Sequence, residues 1–157
     1  MRYISIMGQR VSDRRDVDKF RGCLVGGAIG DALGYAVEFM RYDRIIAKYG
    51  KPGIADYELT DGVARISDDT QMTLFTANGL LYRTTRGALR GFYSSPEDYV
   101  ALCYQDWLKT QVYSLNDEAE HRFSWLMDIP DLHRSRAPGG TCIKALLTEK
   151  PEIYSKG

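Results

Sequence analysis

The sequence predicts an all-α fold, arranged as a compact multi-helix bundle. Three segments carry helix-start signals or helical spacing, and they begin near residues 20, 67 and 95. Few stretches alternate apolar and polar residues as a half-buried strand would. The 157 residues are 44% hydrophobic, which is enough for one folded domain with a core.

The first predicted helix covers residues 20–39 and carries a stripe of glycine. Glycines recur at every fourth position from Gly22 to Gly34, so in a helix they share one face. Each costs a helix interior about 1 kcal/mol relative to alanine, which indicates that another helix or a ligand packs close to this face. The uncharged run within it is shorter than the roughly 20 apolar residues that span a membrane. We therefore expect a buried helix in a soluble domain.

Two acidic residues interrupt this helix. Asp31 follows the third glycine of the stripe, and Glu38 comes two turns later. Burying an unpaired carboxylate is costly, so each is expected to have a partner. The alternative is that both lie at an exposed, frayed helix end.

The second helix begins at Ser-Asp-Asp-Thr-Gln-Met, residues 67–72. The apolar residues of this helix approximate the spacing of one buried face: Met72, Phe75, Leu80 and Leu81. Asp68 and Asp69 therefore fall in the first turn, where the positive end of the helix dipole favours ionised carboxylates. Such carboxylates suit a hard cation like Mg²⁺. Ordinary capping by Ser67 and first-turn aspartates explains the same pattern without a metal.

Two further helices follow. Ser95 and Pro96 begin one whose buried face is predicted from its spacing: Val100, Cys103, Tyr104, Trp107 and Leu108. A short final helix is expected over residues 141–147, with Pro151 shortly after it. Residues 116–138 are less regular, with a short helix predicted near 122–127. His121 and His133 are too far apart in sequence for a metal cluster.

The composition restricts the partners and the compartment. Twenty-one basic and 21 acidic side chains cancel, and no concentrated basic run exists, so nucleic acid is an unfavoured partner. The N-terminus lacks the apolar core of a signal peptide, and no membrane segment is predicted. A cytoplasmic location is expected. Three widely spaced cysteines predict reduced, buried thiols: Cys23, Cys103 and Cys142.

Three segments together resemble the N-terminal half of the ADP-ribosylglycohydrolase family. They are residues 30–39, with Gly-Asp-Ala-Leu-Gly followed by Glu-Phe, residues 67–73, and the glycine-rich residues 136–142. The resemblance implies a helical bundle of that family's type. It also implies two parts, with residues 1–16 as an N-terminal extension and residues 17–157 as the N-terminal part of the family's domain.

The resemblance implies a role for each matching residue. Ser67, Asp68 and Asp69 would ligate a binuclear Mg²⁺ or Mn²⁺ centre, with the choice of ion left open. Glu38 would be the catalytic acid between metal and substrate, and Asp31 and Thr70 would hold the ligands in place. Backbone and hydroxyl donors would bind the diphosphate of ADP-ribose at the start of the last helix: Gly139, Gly140 and Thr141. A further, water-activating acid has four candidates: Asp117, Glu118, Asp128 and Asp131.

The activity that the resemblance implies is hydrolysis of the glycosidic bond between ADP-ribose and a modified protein side chain, whose identity stays open. Members of the family are longer, and an Asp-x-Asp-Thr segment in their second half completes the metal site; this chain has no such segment. We therefore expect a fragment that is inactive alone. The alternatives are an ADP-ribose-binding or regulatory module without turnover, and one half of an assembly completed by a second copy or another chain.

Overall fold

The chain forms a helical bundle in the computed structural model, which describes residues 16–111 and 121–148. Its helices are α1 (Val17–Gly34), α2 (Tyr42–Tyr49), α3 (Asp68–Arg90), α4 (Pro96–Gln111) and α5 (Gly140–Thr148). Two 3₁₀ turns, Trp125–Asp128 and Pro130–Leu132, precede α5. The predicted all-α class is confirmed.

A two-stranded hairpin separates α2 from α3. Strand β1 (Leu59–Thr60) pairs antiparallel with β2 (Val63–Ala64). Asp61 and Gly62, the two residues between them, both have positive φ, 53° and 76°. This is the backbone twist that two-residue hairpin turns prefer, and Asp-Gly suits it because both tolerate the left-handed region.

The core lies between α3, α4 and the 3₁₀ turns. Phe75 of α3 packs there with Cys103 and Trp107 of α4, and the side chains of Leu126, Met127 and Leu132 close it. Helices α3 and α4 approach closely at Gly79, where an added Cβ would lie 2.8 Å from the Cα of Val100. The predicted buried face of α4 is confirmed at Cys103, Trp107 and Leu108, which are buried, while the other two predicted residues are half-buried.

The predicted buried face of α3 is wrong in its second half. Leu80 and Leu81 are 45% and 62% exposed, whereas Asn78 and Gly79 are buried. Asn78 and Gly79 lie three and four residues after Phe75, so they continue its face toward α4. The leucines are rotated away from that face. Close contact between two helices therefore selects small and hydrogen-bonded residues here, rather than the largest apolar ones.

The prediction that α1 is buried is also wrong. Only Ala32 is buried in this helix, and Phe20, Val25 and Ile29 are each more than half exposed. Nothing among the described residues lies within 4 Å of a Cβ built on any glycine of the stripe. The apolar residues surround the helix instead of sharing one face, so α3 covers only part of them.

The first helix ends earlier than the pattern predicted. It stops at Gly34, and residues 35–39 form turns that carry Glu38 beyond the helix end.

The expectation of three buried thiols is wrong for two of them. Cys103 is buried, while Cys23 and Cys142 are exposed, and all three are free. Within the described ranges, no helix combines the length and apolar character needed to cross a membrane.

Candidate functional site

The carboxylate of Asp31 joins the end of α1 to the beginning of α3. Its Oδ2 accepts hydrogen bonds from the backbone N–H of Ser67 at 2.9 Å and of Thr70 at 3.2 Å, and from the hydroxyl of Thr70. These N–H groups belong to the unsatisfied first turn of a helix. Asp31 therefore caps α3 from another helix, and Asp31, Ser67 and Thr70 are brought into direct contact.

Ser67 caps the same helix from within. Its Oγ accepts a hydrogen bond from the N–H of Asp69 at 3.1 Å, and the residue is buried. The predicted N-cap is confirmed, with Asp68 and Asp69 as the first two residues of α3. The two capping oxygens, from Ser67 and Asp31, hold the first turn of α3 in one orientation.

Asp68 connects α3 to the glycine-rich turn. Its N–H donates to the carbonyl of Arg136 at 3.0 Å, and its Oδ2 accepts from the N–H of Gly139 at 3.4 Å. Burial raises the pKa of Asp68, and the carboxylates of Asp69 and Asp31 add to the rise, while backbone N–H donors oppose it. Asp69 is exposed, and its carboxylate accepts no hydrogen bond from the described residues.

Glu38 lies near these acids but does not touch them through a hydrogen bond. Partial desolvation raises its pKa, and the negative charges of Asp69, Asp68 and Asp31 raise it further. The side chain is exposed, so solvent screens part of this repulsion. The acid predicted from the first segment and the two aspartates of the second thus belong to one electronegative region.

The glycine-rich turn lies beside this region. Helix α5 begins at Gly140, so the prediction that this turn starts a helix is confirmed. Gly139, Gly140 and Thr141 are exposed, and Gly139 is the residue whose N–H contacts Asp68. Binding of phosphate by these three residues stays a prediction.

A groove of about 420 Å³ separates α1 from the first turns of α3. The glycine stripe forms one wall through Gly26 and Gly30, and Asp69 and Thr73 belong to the other. The stripe therefore faces open space beside the acidic region, in place of a packed helix.

The donor atoms fit a hard divalent ion in kind but are incomplete in number. Within residues 16–111 and 121–148, no three His, Cys, Asp or Glu side chains come close enough together to hold a metal. Asp31 already receives three donors on one oxygen. One carboxylate oxygen of Asp68 already accepts from Gly139, whereas the carboxylates of Asp69 and Glu38 accept no hydrogen bond from the described residues. Mg²⁺ requires six ligands.

Sequence reasoning missed the role of Gln71. This buried side chain donates from Nε2 to the carbonyls of Leu132 and Arg134, at 3.2 and 3.1 Å, and Oε1 accepts from Trp107 at 3.3 Å. It fixes the loop that leads to Gly139. The available signal was a long polar residue one turn before Phe75, on the predicted buried face.

Asp106 of α4 was also missed. Its Oδ2 accepts from the N–H of Phe123 at 2.6 Å and of Ser124 at 2.8 Å. Burial raises the pKa of Asp106, although the two backbone donors and the positive charge of Lys109 each lower it. Of the four candidates for a water-activating acid, Asp128 and Asp131 are exposed on the 3₁₀ turns, and Asp117 and Glu118 lie outside the described residues.

Comparison with known proteins gives one finding about the family. A protein-family model described as ADP-ribosylglycohydrolase matches residues 11–156 of this chain. No curated protein and no solved structure matches it.

Proposed function

Because this chain belongs to the ADP-ribosylglycohydrolase family, we propose that it forms the part of a hydrolase that cleaves the glycosidic bond between ADP-ribose and a modified protein side chain. One observation carries the proposal. Asp31 contacts Ser67 and Thr70, and Asp68 contacts Gly139, so the three segments that resemble the family meet at the start of α3.

We assign the metal-binding role to Ser67, Asp68 and Asp69, with Asp31 and Thr70 orienting them. Desolvation raises the pKa of Glu38 and Asp68, and repulsion from the neighbouring carboxylates adds to the rise; a divalent cation would relieve that repulsion. Bound Mg²⁺ or Mn²⁺ would supply a water of lowered pKa and hold the ribose hydroxyls. The remaining ligands would come from water, substrate or another part of the protein.

Glu38 is proposed as the acid that acts on the reacting bond. Cleavage gives the ribose oxocarbenium character, which a nearby carboxylate stabilises. Its raised pKa also suits it to move a proton between the attacking water and the leaving group. The glycine-rich turn at Gly139, Gly140 and Thr141 would bind the diphosphate through backbone N–H groups and the Thr141 hydroxyl, as helix N-termini commonly do, and the N–H of Gly139 would then exchange its contact with Asp68 for the ligand.

The test measures release of ADP-ribose from an ADP-ribosylated arginine substrate with Mg²⁺ or Mn²⁺, by the intact hydrolase of which this chain forms a part. Removing a general acid or base typically costs about 10²–10⁴-fold in rate, so Glu38→Gln is expected to lose activity on that scale. Asp68→Asn is expected to lose activity by weakening the metal site. Wild-type rates in both variants would contradict the assigned roles, and Glu97→Gln, an exposed acid on α4, is the matched control.

A second candidate is an ADP-ribose-binding module without turnover. It is favoured by the lack of any group of three metal-ligating side chains within the described residues. Calorimetry with ADP-ribose separates the two, since binding without release of product supports the module.

Pairing with a second copy or a complementing chain is a further proposal. The molecular mass measured by sedimentation equilibrium tests it.

A further inference from the structure

A pocket lined by three arginines lies behind the glycine-rich turn. It encloses about 500 Å³ between the end of α1, the hairpin and the loop that precedes α5. Arg65 enters it just after β2, and Arg134 and Arg136 enter from the loop. Tyr35 and Thr60 also line it.

The positive charge of this pocket is poorly neutralised by its own acids. Glu58 is in the wall, but its carboxylate is occupied by the Nζ of Lys48 at 2.7 Å and the hydroxyl of Tyr49 at 2.8 Å. Among residues 16–111 and 121–148, the one acidic contact of Arg65 is a long one of 3.4 Å with Asp61, whose side chain is 87% exposed. Exposed pairs of this kind contribute little.

Arg134 and Arg136 have no acidic partner among the described residues. The Nε of Arg136 is buried and donates to no acceptor in the described part of the chain. Buried guanidinium groups normally have their donors satisfied. An oxygen acceptor bound in the pocket would supply the missing partner once the half-buried side chain of Arg136 turns toward it.

The backbone that carries both arginines is held from α3. The carbonyl of Arg134 accepts from the buried Gln71 at 3.1 Å, and the carbonyl of Arg136 accepts from the N–H of Asp68 at 3.0 Å. The loop is therefore positioned before any ligand arrives, which reduces the ordering cost of binding.

From this arrangement we infer that Arg65, Arg134 and Arg136 form a binding site for a phosphate group. Guanidinium forks bind phosphate through paired charge-assisted hydrogen bonds, and a group with several oxygens and up to two negative charges suits three of them. The source is either free phosphate or the phosphate of a nucleotide ligand. The site needs no divalent ion.

The test is calorimetric titration of the full chain with inorganic phosphate, at constant ionic strength and with EDTA present. Saturable binding is expected, and Arg136→Gln is expected to weaken it about tenfold or more, because a charge-assisted hydrogen-bond pair is lost. Arg136→Lys keeps the positive charge but lacks the planar, bidentate donor geometry of the guanidinium group, so it is expected to weaken binding as well. Arg90→Gln makes the same charge change at the exposed far end of α3 and is expected to leave it unchanged.

Absence of saturable binding in the wild type would overturn the site, as would equal weakening by Arg90→Gln. Circular dichroism checks folding, and if Arg136→Gln does not fold, the exposed Arg134→Gln carries the test. ADP-ribose that displaces phosphate identifies the nucleotide as the source, and ADP-ribose that does not displace it identifies free phosphate. The EDTA makes the result independent of hydrolysis, so failure here and failure of the proposed activity are separate outcomes.

Discussion

One oxygen of Asp31 receives three donors from the first turn of α3. This is the contact on which the geometry of the acidic region depends, because it sets where Asp68 and Asp69 lie relative to α1. Sequence reasoning placed Asp31 beside these residues through the family resemblance, and the structure shows which atoms make the contact.

Replacing Asp31 by alanine is expected to lower the free energy of unfolding by about 2 kcal/mol, since three donors near a half-buried site lose a charged acceptor. Asp31→Asn keeps an acceptor oxygen and should cost less. Urea denaturation measures both. Asp43→Ala, which removes an exposed partner of Arg41, should stay within about 0.5 kcal/mol of the wild type. If Asp31→Ala and Asp43→Ala lowered the free energy of unfolding equally, the contact between Asp31 and the first turn of α3 would not have the stabilising role assigned to it.

The three thiols are expected to differ sharply in reactivity. Burial, with a smaller contribution from Asp106, raises the pKa of Cys103 to about 12, while Cys23 and Cys142 are exposed. Because the thiolate is the reactive form, a colorimetric disulfide reagent should label two thiols in the folded chain and three after unfolding. Cys23→Ser and Cys142→Ser should each remove one fast equivalent. Rapid labelling of three would show that Cys103 is accessible.

At the scale of helices, the glycines of α1 and α3 differ in how closely neighbouring atoms pack against them. Gly79 permits the backbones of α3 and α4 to approach, since an added Cβ would lie 2.8 Å from the Cα of Val100. Gly22 of α1 has nothing within 4 Å of that position among the described residues. The same residue type thus marks a tight contact in one helix and an open face in the other.

Gly79→Ala is therefore expected to lower the free energy of unfolding by about 2 kcal/mol through overpacking against rigid backbone. Gly22→Ala is its matched control and should raise it by up to about 1 kcal/mol, because alanine favours the helix. Thermal and urea denaturation measure both. A destabilising Gly22→Ala would show that something packs on the glycine face in solution.

At the scale of the whole molecule, the acidic region would link folding to the proposed metal binding and to pH. Residues from α1, its following turn, α3 and the loop before α5 all meet there, so an ion bound there would stabilise the packing of these elements together. Four acids share this region: Asp31, Glu38, Asp68 and Asp69. A cation removes a repulsion that only the folded state contains.

Mg²⁺ or Mn²⁺ is expected to raise the temperature midpoint of unfolding. The free energy of unfolding should increase by about 2.7 kcal/mol when the ion is at a hundred times its dissociation constant. The raised pKa values of Glu38 and Asp68 set the sign of the pH effect. Below these pKa values, protons compete with the metal ion for the carboxylates. The stabilisation by metal should therefore grow as the pH rises through these pKa values and disappear as the pH falls below them. Scanning calorimetry with and without EDTA measures it.

Asp69→Asn should abolish the metal-dependent part of the stability, because the exposed carboxylate of Asp69 is proposed as a metal ligand and accepts no hydrogen bond from the described residues. Asp18→Asn, an exposed acid on α1 paired with Arg21, is the control and should keep it. A midpoint that does not respond to either ion at any pH would remove the metal from the proposal and leave the binding module.

The sequence by itself determined the helical class, the cap at Ser67, the helix start at the glycine-rich turn and three of the five residues predicted for the buried face of α4. These depend on spacing and capping within a few residues, so the local chain contains the information. Only the tertiary structure decided that Leu80 and Leu81 face outward, that the glycine stripe borders a groove and that three arginines share a pocket. The contacts responsible join residues far apart in the chain, such as Ser67 to Asp31 across 36 positions and Gly139 to Asp68 across 71, and no local periodicity specifies which distant groups will meet.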